Sequence, residues 1–229
     1  MAPGTVWIVV AAYNEAPALG PVLRGLLAVE PNIVVVDDAS TDDTSRVAHA
    51  WPVHLLRHRV NLGQGAALKT GIAYALSRGA GVVVTFDADG QMDPADLRAL
   101  CRPVLDGSAD LVLGSRFLGA RAANLPFVRA FFLRAAAAAY ALVTGLNLTD
   151  AHNGLRAFSR DAASRVDIVH GRMAHASEII HQAAALRLRV VEVPVTIRYS
   201  EYSLKKGQSL FRMFDIFWDL IFHQPRRTP

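Results

Sequence analysis

The chain has 229 residues, 52% hydrophobic and 19% charged, enough apolar material for one full core and too much for a disordered, collagenous or coiled-coil protein. A single cysteine, Cys101, excludes a disulfide framework and a cysteine-based zinc site and points to a reducing, cytoplasmic setting. The formal charge of +4 favours anionic partners without choosing among nucleotide, phospholipid and nucleic acid. With only three lysines among 24 basic residues, the arginine excess reads as general composition.

Met1 to Thr5 carries no basic residue, and the apolar run Val6 to Ala12 leads straight into Tyr13, Asn14 and Glu15, which is not a signal-peptide pattern. From there to about residue 114, short β-branched runs alternate with alanine- and leucine-rich stretches, the pattern of a parallel sheet covered by helices. Strands are predicted at Val6 to Ala11, Ile33 to Asp37, Val53 to Arg57, Val82 to Asp87 and Leu111 to Gly114. Helices are predicted between them at Ala16 to Val29, Asp42 to Ala50, Gly65 to Arg78 and Ala95 to Asp106, the last opened by Pro94. After Arg116 the alternation fails. A helix is predicted over Phe127 to Thr144, a turn at Asp150 to Gly154, a strand at Leu155 to Phe158, a helix at His175 to Leu186, a strand at Val190 to Val195 and an amphipathic tail helix at Ser209 to His223. The most apolar long stretch, Phe127 to Leu148, is interrupted by Arg129 and Arg134 and does not read as a membrane span. No repeat or linker divides the chain, which reads as a single domain over residues 1–229.

Several short matches lead nowhere. Gly63-Gln64-Gly65 does not lie in the first strand-to-helix turn, where a dinucleotide fingerprint belongs. Gly63 to Thr70 ends in Lys-Thr like a P-loop, yet Leu68 replaces the glycine that must precede the lysine. Asp87, Asp89 and Gly90 begin like a calcium loop that Arg98 fails to close. His175, Glu178 and His181 have partial metal-face spacing, but six residues separate the histidines instead of four.

The strongest local signal is the buried strand Val82 to Phe86 delivering Asp87 and Asp89 at its C-terminal end. Carboxylates two residues apart in an extended chain point to the same side and repel unless a cation lies between them. A hard divalent ion, Mg2+ or Mn2+, suits that oxygen set. The polar groups Tyr13 to Glu15, Asp37 to Thr41 and Asp87 to Gln91 all follow strand C-termini, the edge where open α/β sheets bind ligands.

The order and spacing of Ala11-Ala12-Tyr13-Asn14-Glu15, of Asp37-Asp38-Ala39-Ser40, of Asn61 to Gly71, of Asp87-Ala88-Asp89-Gly90-Gln91, of Gly114-Ser115-Arg116 and of Asp150 to Phe158 resemble the family 2 glycosyltransferases. Within them the chain is similar to the polyprenyl-phosphate sugar transferases of the dolichyl-phosphate mannosyltransferase type. The resemblance covers about residues 5 to 200. It implies a GT-A-like α/β domain with a mostly parallel central sheet flanked by helices, residues 1–116 binding the nucleotide sugar and 117–229 shaping the acceptor site.

Carried over residue by residue, the resemblance puts Ala11, Tyr13, Glu15, Asp38, Lys69, Asp87 and Ala88 on the nucleotide, with Asp38 on the base edge or ribose. It puts Asp89 and Gln91 on the metal and Arg116 on phosphate. Asp38 also has a plainer reading as a helix-start acid with Ser40 or Thr41 as cap. Two departures stand out. Ala11 replaces a frequent proline, and Leu204 stands where an arginine commonly precedes a Gly-x-Ser, leaving Lys205 and Lys206 as acceptor-phosphate groups.

The implied reaction is an inverting hexosyl transfer from a nucleotide sugar, of the GDP-mannose or UDP-glucose type, to a polyprenyl phosphate, with Mg2+ or Mn2+ as cofactor. The partners are then the donor, the lipid acceptor and a membrane surface or small membrane protein, not nucleic acid. The place is the cytoplasm or the cytoplasmic face of a membrane. A sugar-hydroxyl acceptor in polysaccharide assembly is the alternative, and it needs a general base, for which Asp150 and Glu178 are the candidates. A nucleotidyltransferase lacks its glycine- and basic-rich first loop here. A non-catalytic nucleotide-sugar-binding subunit is disfavoured by the intact Asp87, Asp89, Gln91 and Arg116.

Overall fold

The computed structural model describes residues 5–118, 144–151, 153–169 and 175–198. The expected helix over Phe127 to Thr144, apart from Thr144, and the expected tail helix over Ser209 to His223 lie outside the described residues, as do Lys205 and Lys206.

The first half builds four parallel strands, β1 (Val6–Ala12), β2 (Ile33–Asp37), β3 (His54–Arg57) and β4 (Val82–Asp87), connected through α1 (Ala16–Leu27), α2 (Thr44–His49) and α3 (Gln64–Ser77). Continuous apolar runs such as Val34-Val35-Val36 and Val82-Val83-Val84 are buried on both faces, as a helix-covered parallel sheet requires. A 3-10 turn, Pro94–Asp96, leads into α4 (Leu97–Leu105) and then β5 (Leu111–Ser115). Asp93 caps that turn through the Ala95 amide at 3.1 Å, so the helix proper starts two residues later than expected. Thr44 likewise opens α2 two residues late, because Asp42 spends its carboxylate on the Thr44 and Ala16 amides.

Among the described residues the sheet has seven strands in the order β3-β2-β1-β4-β6-β5-β7, where β6 is Arg156–Ser159 and β7 is Val190–Pro194. β6 is antiparallel to both β4 and β5, while β5 and β7 pair in parallel, so the sheet is mostly parallel with one reversed strand inserted beside β4. The remaining helices are α5 (Arg160–Arg165) and α6 (His175–Ala185). One face of the sheet packs on α1, α2 and α4 through Leu19, Leu23, Leu26, Ala48, Leu100 and Val104. The other packs on α3, α5 and α6 through Leu68, Ile72, Ala162, Ile179 and Ala183. Among the described residues no helix is long and apolar enough to cross a membrane.

Helix and sheet approach closely at Gly71 of α3, where a Cβ would stand 2.2 Å from Val9 Cγ1 and 3.2 Å from Val36 Cγ2. This contact sets how near the start of α3, and with it Gln64, comes to the sheet edge. Gly71→Ala is expected to cost about 1–3 kcal/mol through overpacking. Gly20→Ala, whose Cβ meets nothing nearer than 3.8 Å, should be neutral or stabilising by up to about 1 kcal/mol. Urea unfolding of the two variants checks the contrast, and equal midpoints would contradict it.

Candidate active site

Register brings the strand ends together. Ala12 pairs with Asp37 across β1 and β2, and Ala11 pairs with Asp87 across β1 and β4. The loops that follow therefore leave one edge side by side, and they are stitched to each other. The Asn14 side-chain oxygen accepts from the Thr41 amide at 2.8 Å, the Asn14 amide donates to Ser40 Oγ at 2.9 Å, and the Glu15 amide donates to Thr44 Oγ1 at 2.8 Å. Asn14 and Ala39 take left-handed backbone angles, φ 53° and 60°, to make these turns.

Asp37 and Asp38, adjacent in sequence, do different work. Asp37 is buried and holds the β2–α2 turn through the Ser40 amide at 2.9 Å, the Ser45 hydroxyl and Arg57 Nε at 3.2 Å. Asp38 is buried too and faces the loop after β3. Its Oδ1 meets His58 Nδ1 at 2.7 Å and accepts from the Leu62 amide at 2.9 Å, while Oδ2 accepts from the Gly63 amide at 2.6 Å. His58 Nε2 reaches Thr70 Oγ1 of α3 at 2.9 Å. Asp38 is thus neither a helix-start acid nor an open acceptor. Three donors of the chain already occupy its carboxylate, and it clasps the 58–63 loop against the sheet edge.

The carboxylates at the end of β4 are the electrostatic centre of this edge. Burial raises the pKa of Asp87 to about 7, and the neighbouring negative charges of Asp89 and Glu15 add to the rise. Arg156, buried on β6 opposite Thr85, and Gln64 Nε2, donating to Asp87 Oδ1 at 2.8 Å, act in the opposite direction. The approach is so close that a Cβ on Gly154 would stand 2.5 Å from Asp87 Oδ2, and Thr85 Oγ1 fixes Gly154 by donating to its carbonyl at 2.7 Å. Asp89 accepts from the Gln91 amide at 3.0 Å, which closes the turn at Gly90, φ +76°. Ala88, between the two aspartates, is buried.

Among the described residues no three His, Cys, Asp or Glu side chains form a ready-made cage for a metal. The crowding of Asp87, Asp89 and Glu15 nevertheless fits a hard divalent ion, which relieves such repulsion and takes the rest of its oxygen shell from water and ligand phosphates. Asp87 and Asp89 are the described carboxylates of this corner that could share such an ion.

At the end of β5, Arg116 and Asp150 meet. Arg116 Nε donates to Asp150 Oδ2 at 2.6 Å, Nη2 donates to Oδ1 at 2.7 Å, and the Arg116 amide adds a third bond at 3.1 Å. The Asp150 carboxylate is fully buried and the guanidinium nearly so, a two-pronged, charge-assisted pair. Two expected site residues are engaged elsewhere. Lys69 pairs with Asp167 at 2.5 Å on the protein surface, tying α3 to the segment after α5. Both Glu178 oxygens accept from the Val169 amide at 3.1 Å.

An open α/β sheet that gathers these carboxylates and an arginine fork on one strand edge defines a glycosyltransferase of the GT-A type. The chain belongs to glycosyl transferase family 2, whose model matches residues 7–167. It is 30% identical to a UDP-N-acetylglucosamine–dolichyl-phosphate N-acetylglucosaminyltransferase of Methanococcus voltae over 96% of each chain. It is 35% identical to an undecaprenyl-phosphate mannosyltransferase of Micrococcus luteus over 83% of this chain and 82% of that one. In fold it is similar to glucosyl-3-phosphoglycerate synthase from Mycobacterium tuberculosis in complex with Mn2+ and UDP-glucose, with a TM-score of 0.74 at 21% identity over 96% of this chain and 77% of that one.

Sequence reasoning missed Arg156, Gln64, His58 and Gly154. Arg156 carried a readable signal, since a charge inside the apolar run Leu155 to Phe158 demands a buried partner. Asp38→Ala is expected to release the 58–63 loop, speeding amide exchange at Leu62 and Gly63 and costing at least about 2 kcal/mol in stability, because buried donors lose a charged acceptor. Unchanged exchange at those two amides would contradict the clasp.

Proposed function

We propose that the chain is an inverting transferase that moves a hexose from a nucleotide sugar, GDP-mannose or UDP-glucose in type, to a polyprenyl phosphate with the help of Mg2+ or Mn2+. One observation carries this reading: a single sheet edge holds an anionic corner, Asp87 with Asp89 and Glu15, and a buried arginine fork, Arg116 on Asp150. The first suits a cation carrying a diphosphate; the phosphate role of Arg116 rests on the resemblance of its Gly-Ser-Arg turn to that of the family. The shared element in the names of the Methanococcus voltae and Micrococcus luteus relatives, a polyprenyl-type phosphate, supports the same acceptor.

In the reaction an acceptor phosphate oxygen forms a bond to the anomeric carbon while the bond from that carbon to the nucleoside diphosphate breaks. A bound Mg2+ or Mn2+ supplies charge neutralisation for the leaving diphosphate. Asp89 and Gln91 would hold that ion, and Asp87 would contact the nucleotide. Tyr13 and Glu15 receive base and ribose beside the Ala11 and Ala88 main chain, and Asp38 acts through the loop it clasps. Lys69 reaches the nucleotide only by leaving Asp167. Arg116 orients the acceptor phosphate, joined by Lys205 and Lys206. Residues 1–116 form the donor half and 117–229 the acceptor half of one domain, which works at the cytoplasmic face of a membrane.

The engaged carboxylates favour a phosphate acceptor over a sugar hydroxyl. A phosphate is ionised at neutral pH and needs no base. Asp150 is held by Arg116 and both Glu178 oxygens accept from the Val169 amide, so a base drawn from either would have to share or give up these bonds. Purified protein with nucleotide sugar, Mn2+ and polyprenyl phosphate in anionic liposomes should release nucleoside diphosphate only when the lipid is present. Asp89→Ala should abolish that release while leaving the unfolding midpoint near that of the parent. Acceptor-independent release, transfer to a soluble sugar alcohol alone, or near-normal turnover of Asp89→Ala would each overturn the reading.

A further inference from the structure

Glu192 lies in the edge strand β7, paired with Leu113 of β5, in the otherwise apolar run Val190-Val191-Glu192-Val193. Glutamate is depleted in strands, and sheet pairing makes no use of this side chain. Its carboxylate points to the segment that carries Asp150. Oε2 accepts from the Thr149 amide at 2.7 Å and from Thr149 Oγ1 at 3.0 Å, and Oε1 accepts from the Asp150 amide at 2.8 Å. Binding two consecutive amides with two oxygens of one rigid group fixes the peptide between them, and hence the direction in which the Asp150 side chain leaves the backbone.

A second arm reaches Arg116 from its other flank. Thr149 Oγ1 lies 2.6 Å from Ser115 Oγ, and Ser115 Oγ accepts from the Phe117 amide at 3.1 Å. Thr149 has one hydroxyl proton, and it goes to Glu192. The proton between the two hydroxyls is therefore that of Ser115, and the donors run in one direction: Phe117 amide to Ser115, Ser115 to Thr149, Thr149 to Glu192. The residues before and after Arg116 are thus tied to the same carboxylate that sets Asp150, the partner holding the guanidinium.

We infer that Glu192 is the positioning residue for Arg116: through Thr149, Asp150 and Ser115 it aims the guanidinium at the phosphate this site receives. The inference rests on the proposed function for the identity of that phosphate, the acceptor's. It assigns Glu192 no contact with substrate.

The test is a double-substitution cycle with an activity-independent companion. Glu192→Gln, which keeps one acceptor oxygen and turns the other into a donor, should raise the acceptor KM about tenfold or more and leave the donor KM within about twofold; combined with Arg116→Ala it should add less than about twofold. Full additivity of the two substitutions, or equal effects on donor and acceptor, would overturn the inference, because that is the behaviour of a merely structural group. In NMR spectra of the whole chain, the Arg116 Nε–H should exchange slowly with water and speed up about tenfold or more in Glu192→Gln. An unchanged rate would also overturn it, whichever acceptor the enzyme uses. If Glu192→Gln does not fold, Thr149→Val, which deletes only the hydroxyl arm, takes its place with the same signs. Absence of transfer to polyprenyl phosphate by the parent protein would instead sink the proposed function and leave the exchange rate to decide the role of Glu192.

Discussion

The constraint around which this molecule is arranged is a cluster of carboxylates, Asp87 and Asp89 at the end of β4 and Glu15 from the loop after β1. Asp87 leaves β4 where burial already disfavours its charge, and Asp89 and Glu15 make matters worse. Among the described residues the Arg156 guanidinium and the Gln64 amide act on Asp87 in the opposite direction. Like charges gathered in this way are the arrangement that a bound cation relieves.

The inserted antiparallel strand β6 is the device that creates this balance. Had β5 paired directly with β4, as in an unbroken parallel sheet, Arg156 would have no place opposite Thr85, and Gly154 could not press its Cα against the Asp87 carboxylate. The same insertion sends the chain through residues 149–151 just beside the end of β5, where Asp150 takes hold of Arg116. One topological feature thus sets a guanidinium behind the anionic corner and another at its side. Breaking the second pair by removing one member strands a buried charge, which costs about 3–5 kcal/mol, so fold and site are coupled there.

The parallel half was legible because its signals are local. Short apolar runs, each followed by a polar turn, mark β1, β2, β4 and β5, and the aspartates at 87 and 89 announce themselves within one turn. The reversed strand was expected as a strand but not as a reversed one, since periodicity carries no direction. Contacts across the site depended on register. Arg116 and Asp150 were both singled out, yet as a phosphate ligand and a proton acceptor, and nothing in 34 residues of separation says that they bind each other. The resemblance puts Asp38 on the base edge or ribose, and its three partners at 58, 62 and 63 are not legible in sequence because they come from a loop whose path only the folded β2–β3 pair defines. Glu192 is illegible for the same reason: in sequence it is one acid in a valine run, and the Asp150 amide it binds lies 42 residues away.

The central claim, that the β4 carboxylates and the loops around them form a site for a cation with a nucleoside diphosphate, is tested most directly by calorimetric titration of the protein with UDP and with GDP, in Mn2+ and again in excess chelator. The account predicts that one of the two nucleotides binds in Mn2+ and that its affinity falls by about a hundredfold or more when the ion is withdrawn, roughly 2.7 kcal/mol. Equal affinity with and without the ion would contradict it.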